Sequence, residues 1–219
     1  MRNFVITIRD NNKSEKSAEK CVISGARVGM EIEFYEATTP RNTNVYDALK
    51  EKKIPVQGFQ NNKYSREDNM IAAFLSHHSL WEFCADTGEE ITVFEHDAVI
   101  LDSIPDMDYN GCISLGKPSY GNFNIPPNLG RNRLVSKKYF PGAHAYRMKP
   151  NAAKVIIEAA RFSAGPTDVF LNIERFPFLE EYYPWPVEVR ETFSTIQNPT
   201  GCQAKHMYNE NYKIEEILK

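Results

Sequence analysis

The sequence predicts an α/β fold, an open twisted sheet of short buried strands flanked by helices. Two apolar runs, Phe4-Val5-Ile6-Thr7-Ile8 and Ile91-Thr92-Val93-Phe94, are continuous rather than alternating, as in strands covered on both faces. From about Glu67 to Ala85, and again from Ala152 to Ala160, apolar residues recur at helical spacing and supply the covering layers. The first strand is followed by a helix and a second strand, the β-α-β order whose crossover is right-handed.

The first run ends in the polar turn Arg9-Asp10-Asn11-Asn12, the charged stretch Lys13 to Lys20 opens a helix, and Glu31-Ile32-Glu33-Phe34-Tyr35 forms the second strand. Thr38 to Asn44 reads as a loop, Tyr46 to Lys53 as a short helix stopped by Ile54-Pro55, and residues 58–64 as an exposed polar stretch. Ser65-x-x-Asp68 is a capping-box pattern for the next helix. Its stripe of Met70, Phe74, His77, Trp81 and Cys84, with Ile71, Leu75 and His78 beside it, puts both histidines at the border of the core, and His78 reads as structural. Gly88 closes the helix. Asp102 to Asn110 is a polar excursion into a strand at Cys112-Ile113-Ser114-Leu115. Ser119 to Lys138 reads as a long loop, of the kind that serves as a lid or binding segment. Pro150 and Gly165-Pro166 bracket the second helix. The aromatic, proline-rich stretch from about residue 176 to Trp185 predicts a packed but irregular tail that can cover a site.

A length of 219 residues with 42% hydrophobic content suits one domain spanning 1–219. A net charge of −3 argues against a dominant polyanion-binding surface. Cys21, Cys84, Cys112 and Cys202 are too scattered for a zinc or redox pair and read as reduced thiols. The start Met1-Arg2-Asn3-Phe4 is not a secretory leader, and no stretch is long and apolar enough to span a membrane. A soluble cytoplasmic protein is expected.

The chemistry points to Glu95-His96-Asp97, where the strand from Ile91 runs into charge before apolar chain resumes at Ala98-Val99-Ile100. An acidic group at the carboxyl end of a central strand sits where open α/β sheets form their ligand crevice. Two carboxylates one residue apart can share Mg²⁺ or Mn²⁺, which leaves positions free for substrate phosphates. Read alone, such a triplet more often marks a solvated strand end, since short acidic motifs are common. Asp102 is a further carboxylate nearby in sequence. The long loop carries a basic cluster, Arg131, Arg133, Lys137 and Lys138, suited to a diphosphate or an anionic acceptor.

Leu75-Ser76-His77, Ser79-Leu80-Trp81 and Glu95-x-Asp97 together resemble the motifs of glycosyltransferase family 25, the lipopolysaccharide-type and collagen-type galactosyltransferases. Ala72 and Ala73 stand where the family has Gly-Cys, and His96 replaces the middle acid of its Glu-Asp-Asp. The resemblance runs in order from Phe4 to about Gln197. It implies a GT-A-like, Rossmann-type sheet, with Arg9 as a nucleotide-side contact and Ser76, His77 and Glu95 at the donor. Gly142-Ala143-x-Ala145-Tyr146 resembles the family's glycine-containing strand, where Gly142 and Ala143 let a sugar nucleotide approach the backbone. Asp97, Glu95 and His206 become the implied metal ligands, the last from a tail folding back over the site. Pro166-Thr167-Asp168 matches the family's Pro-x-Asp segment, and Asp168 can take the proton of an attacking acceptor hydroxyl.

The expected activity is thus an inverting, Mn²⁺- or Mg²⁺-dependent transfer from a nucleotide sugar, a UDP-sugar first among donors, to a glycan or hydroxylated protein. A hydroxymethylated base in phage DNA is an alternative acceptor, approached by the basic cluster, with Tyr183 and Trp185 as a stacking wall. A nucleotide-sugar-binding module without catalysis is the other alternative, favoured by His96.

Overall fold

Alternation along the central strands decides which way each side chain faces, and that places the site. In a computed structural model, which describes residues 1–63, 65–190 and 193–198, the chain forms β1 (Arg2–Thr7), α1 (Asn12–Arg27), β2 (Glu33–Glu36), α2 (Val45–Glu51) and α3 (Glu67–Thr87). There follow β3 (Ile91–Glu95), β4 (Ala98–Ile100), β5 (Cys112–Ser114), β6 (Gly130–Arg133), β7 (Ala145–Met148) and α4 (Pro150–Phe162), then α5 (Thr167–Phe170), β8 (Leu179–Tyr183) and β9 (Val187–Val189). Seven strands make one sheet in the order β2-β1-β3-β7-β5-β8-β6, and β4 pairs with β9 in a separate ribbon. This is the expected α/β architecture, an open sheet flanked by helices.

β1 runs parallel to both β2 and β3, as the β-α-β reading requires, whereas β7 is antiparallel to β3 and β5. The sheet is therefore mixed. Phe4 and Ile6 of β1, Ile91 and Val93 of β3, and Tyr146 and Met148 of β7 face the core formed with α3 and α4. Val5, Phe94 and Ala145 face the opposite core, with Ala18 and Cys21 of α1 and with β4 and β9. Successive residues of a strand point to opposite faces, so each continuous apolar run feeds two cores. Cys21, Cys84 and Cys112 are buried free thiols; Cys202 and His206 lie outside the described residues.

Several boundaries differ from expectation. The stretch Ser119–Lys138 is not loop throughout, since Gly130–Arg133 forms the edge strand β6 against β8. The tail after Phe176 is less irregular than its prolines suggest: Leu179–Tyr183 enters the sheet beside β5. Glu180 and Glu181 on that strand are buried, and their carboxylates accept backbone N–H groups of Asn110 at 2.7 Å, Val135 at 2.6 Å and Ser136 at 2.7 Å, tying the flanking loops down. The capping box does not form. Arg66 holds the N-cap position of α3 without a side-chain bond, Ser65 bridges to Gln197, and Asp68 accepts from the Tyr46 hydroxyl. The segment Phe193–Gln197 forms no strand beyond that bridge. Among the described residues no helix is long and apolar enough to cross a membrane.

Candidate active site

Glu95 is the next residue after Ile91 and Val93 on the α3-facing side of β3, and it ends the strand. Its carboxyl meets His77 Nε2 at 3.1 Å. His77 and Trp81 are one helical turn apart on α3 and both reach Tyr146 on β7. His77 Nδ1 lies 2.9 Å from the Tyr146 hydroxyl, and Trp81 Nε1 donates to the same oxygen at 2.8 Å. His77, Trp81 and Tyr146 are buried, while the Glu95 side chain keeps 26% of its surface. Burial, reinforced by the negative charge of Asp168, pushes the Glu95 carboxyl up to about 8. Burial also pulls the His77 imidazole down to about 3, against the opposing pull of Asp168, so the ring is neutral.

Two cavities meet at Glu95. One, of about 470 Å³, lies over the carboxyl ends of β1 and β2 and the first turns of α1 and α3. It is lined by three cationic side chains, Lys13, Arg41 and Arg66, together with Asn69, Ser76 and His77. The other, of about 410 Å³, is lined by Ser119, Tyr120, Gly142, Asp97, Thr167 and Asp168. Glu95, His96, Ala73 and the segment Phe193–Ile196 belong to both walls. That segment is held across the junction: the Thr195 carbonyl accepts from Arg66 and from Asn69 at 2.6 Å each, and the Phe193 ring sits 5.8 Å from Lys13 Nζ and edge-on to His96.

Asp168 owes its place to Phe170. That ring stacks on Trp81 at 5.9 Å and meets Phe74 and Phe176 at 5.5 Å each, fastening the single turn of α5 to α3. The approach of this segment depends on Gly58, because a Cβ there would lie 1.7 Å from the Ala164 carbonyl oxygen. Tyr120 donates its hydroxyl to Asp168 Oδ2, and the Val169 N–H donates to Oδ1 at 2.9 Å. Burial raises the Asp168 carboxyl above the usual range, although the Tyr120 bond works the other way.

The other expected residues fall into three groups. Ser76 is buried on the wall of the first cavity, accepting the Thr38 N–H at 2.9 Å, and Gly142 lines the second cavity next to Ala143. Gly142 has φ +96°, and a Cβ there would lie 2.4 Å from Ser119 Oγ, so glycine is required. His96 approaches Ser14 Oγ at 3.1 Å, toward α1. Arg9 is exposed at the rim with its guanidinium 5.8 Å from the Phe34 ring, and Asp102 is exposed, accepting the Ser103 N–H at 2.7 Å. Neither lines either of these two cavities.

The basic cluster is not brought together at either cavity. Arg131 is engaged by Glu180 at 3.5 Å and by the Asp108 carbonyl, Arg133 is exposed on edge strand β6, and Lys138 pairs with Glu174 at 2.6 Å. Lys137 lies over the Tyr120 and Tyr139 rings, 5.1 and 5.5 Å from their centroids. Tyr183 and Trp185 pack edge-on at 5.0 Å, and Trp185 also meets Phe123, so these rings are engaged with neighbouring aromatics.

Among the described residues no cluster of three His, Cys, Asp or Glu side chains is arranged to hold a metal. Glu95 and Asp97 nevertheless both line the second cavity, and two carboxylates suit Mg²⁺ or Mn²⁺ that keeps waters and substrate phosphates as its other ligands. The raised Glu95 carboxyl, buried beside Asp168, is an environment that a cation would relieve. The donor set therefore fits such an ion. His206 lies outside the described residues.

Sequence reasoning missed Lys13, Arg41, Arg66 and Asn69, which converge from one loop and two helix starts, and Tyr120, which reaches Asp168 from 48 positions away. Arg66-x-x-Asn69 at a helix opening was a usable signal, since residues three apart share a face. Tyr120 had none.

The family model for glycosyltransferase family 25 (LPS biosynthesis protein) matches residues 1–110, half of the 219-residue chain. No curated protein matches the chain. Among solved structures it is similar to the catalytic domain of a Drosophila β1,4-galactosyltransferase 7 in complex with xylobiose, at 10% identity and a TM-score of 0.44, over 99% of this chain and 78% of that one. It is also similar to a mutant Drosophila β1,4-galactosyltransferase 7 in complex with manganese, UDP-Gal and xylobiose, at 10% identity and a TM-score of 0.36. That match takes in 71% of this chain and 52% of the other, about half of that neighbour's length.

Proposed function

The chain belongs to glycosyltransferase family 25, and on that premise we propose that it moves a sugar from a nucleotide-sugar donor, a UDP-sugar first, to the hydroxyl of a glycan or a hydroxylated protein. The observation that carries this reading is the shared wall at Glu95, with three cations on one side and a buried carboxylate on the other. A diphosphate needs positive charge, and the cavity of about 470 Å³ that supplies it opens at the carboxyl ends of parallel strands, where such sheets bind ligands. An attacking hydroxyl needs a base. Asp168, across Glu95 from the cations, meets that need, and its raised affinity for a proton suits the role.

In a single displacement the acceptor oxygen forms a bond to the anomeric carbon as the bond from that carbon to the diphosphate oxygen breaks. Asp168 takes the hydroxyl proton, and configuration inverts because attack and departure are on opposite faces. Lys13, Arg41 and Arg66 stabilise the charge of the departing nucleoside diphosphate. Glu95 and Asp97 would hold a divalent cation, Mn²⁺ or Mg²⁺, whose chemistry when bound is to offset the same charge.

The test incubates the protein with Mn²⁺ and a panel of nucleotide sugars, with and without glycan, hydroxylated peptide and hydroxymethylated DNA, and measures nucleoside diphosphate. Release stimulated by a glycan or peptide is the expected result. Nucleotide binding without release from any donor would favour a binding module, the reading suggested by His96 turning toward Ser14 rather than completing an acidic triplet.

A further inference from the structure

The geometry points to a directional hydrogen-bond chain, Trp81 to Tyr146 to His77 to Glu95, that fixes His77 in one tautomer and so holds the Glu95 carboxyl in place at the junction of the two cavities. His77, Tyr146 and Trp81 are positioning residues in this reading, which deepens the proposed transferase function and rests on it. Three elements, α3, β7 and β3, converge to make the chain. His77 and Trp81 share a face of α3 because they are four residues apart. Tyr146 is paired across the sheet with Val93, two residues before Glu95 on the same face.

The direction follows from what each group can do. The Trp81 indole N–H can only donate, and it donates to the Tyr146 oxygen at 2.8 Å. Tyr146 is fully buried, and among the described residues its hydroxyl has one further partner, His77 Nδ1 at 2.9 Å. Were Nδ1 to carry a proton, the phenol oxygen would accept twice and its own proton would be left without an acceptor, a costly state for a buried donor. Tyr146 therefore donates to Nδ1, the ring proton of His77 is on Nε2, and Nε2 donates to Glu95 Oε1 at 3.1 Å. The chain holds whether Glu95 is ionised or not, because either form has an oxygen that accepts. Groups that orient a ligand in this way are worth about 10–100-fold in metal affinity or activity.

Two measurements decide it. Long-range ¹H–¹⁵N spectra of protein labelled at its five histidines, with His77 assigned by His77→Gln, should show the proton on Nε2 in the parent. Tyr146→Phe, which removes only the hydroxyl, should allow the other tautomer to appear. A parent ring protonated on Nδ1 overturns the chain. The second measurement is Mn²⁺-supported binding of UDP. Tyr146→Phe should weaken it by about 10-fold or more while thermal denaturation stays cooperative. His77→Gln, whose amide nitrogen can occupy the Nε2 position and donate to Glu95, should bind at least about 10-fold tighter than His77→Asn, whose amide is placed near Nδ1. Equal binding by the two, or unchanged binding in Tyr146→Phe, overturns the positioning role. If the parent binds no UDP, the transferase reading fails, and the spectra still decide the chain.

Discussion

The two cavities meet along one wall, Ala73, Glu95, His96 and the segment Phe193–Ile196, and differ in everything else that lines them. The first cavity, the donor side in the proposed reading, is walled largely by the ends of regular elements, with Lys13 in the first turn of α1, Ser76 and His77 along α3 and Arg66 at its start, and is completed by the loop at residues 38–41. The acceptor-side cavity is walled mainly by connections: Ser119-Tyr120, the Gly142 turn and the Pro166–Val169 turn. Cations face the first, and carboxylates with a tyrosine face the second. In the proposed function the difference separates holding from reacting. A diphosphate can be bound by charge displayed along a rigid edge, whereas a proton must be taken at one point, and that point is built by locking a short turn onto α3 through Phe170.

If that division is right, the largest effect belongs to a carboxylate at the junction. Asp97→Asn keeps shape and removes the charge available to a cation, so turnover should fall by about 10³-fold or more, with metal-dependent nucleotide binding weakened. Nucleoside diphosphate release in chelator-treated, Mn²⁺-replenished buffer measures it. Wild-type rates there would remove Asp97 from metal binding and leave it a wall residue.

Asp168→Asn should come next and should split the cavities. Loss of a positioned base lowers kcat by about 10²–10⁴-fold, with donor affinity nearly intact. Steady-state kinetics alongside calorimetric donor binding provides the check. A loss confined to donor affinity would place Asp168 on the nucleotide and erase the distinction.

The converse substitution, Arg41→Ala, should act on the donor side alone. One charge-assisted contact to a diphosphate is worth about 1.5–3 kcal/mol, so donor KM should rise by about 10-fold or more while kcat stays within about 3-fold. A kcat defect at unchanged KM would mean that the cation acts on the departing group only in the transition state.

How much of this was legible depended on whether a residue sat in a regular element. Strands β1 and β3 and helices α3 and α4 announced themselves by period, so Glu95 and His77 were found at their ends and faces. β8 was hidden because Glu180 and Glu181, which look solvated in sequence, are buried as anchors for backbone N–H groups of neighbouring loops. β6, Gly-Arg-Asn-Arg, is an edge strand with two exposed arginines and no apolar face to read. Arg41 and Tyr120 reach the cavities from loops, and no local pattern records where a loop returns. The capping box failed for a related reason: Ser65 and Asp68 found partners in Gln197 and Tyr46, and such long-range choices leave no mark on a four-residue motif.

The smallest effect is expected from the basic residues outside both cavities. Arg131, Arg133, Lys137 and Lys138 would matter if the acceptor were DNA, since each phosphate neutralised adds about −0.9 to the slope of log affinity against log salt. Arg131 and Lys138 are already engaged by Glu180 and Glu174, and Lys137 lies over two tyrosine rings. Binding a phosphate would cost those contacts. Changing all four residues to Ser should therefore leave donor hydrolysis within about 2-fold of the parent, since surface charges away from a site contribute little. Binding of a glycan or peptide acceptor should be flat with salt in both proteins. Titrations of each acceptor at two or three salt concentrations decide the matter: a steep slope with hydroxymethylated DNA, flattened in the quadruple variant, would move this face into the acceptor site and make the basic strand edge a third wall beside the two cavities.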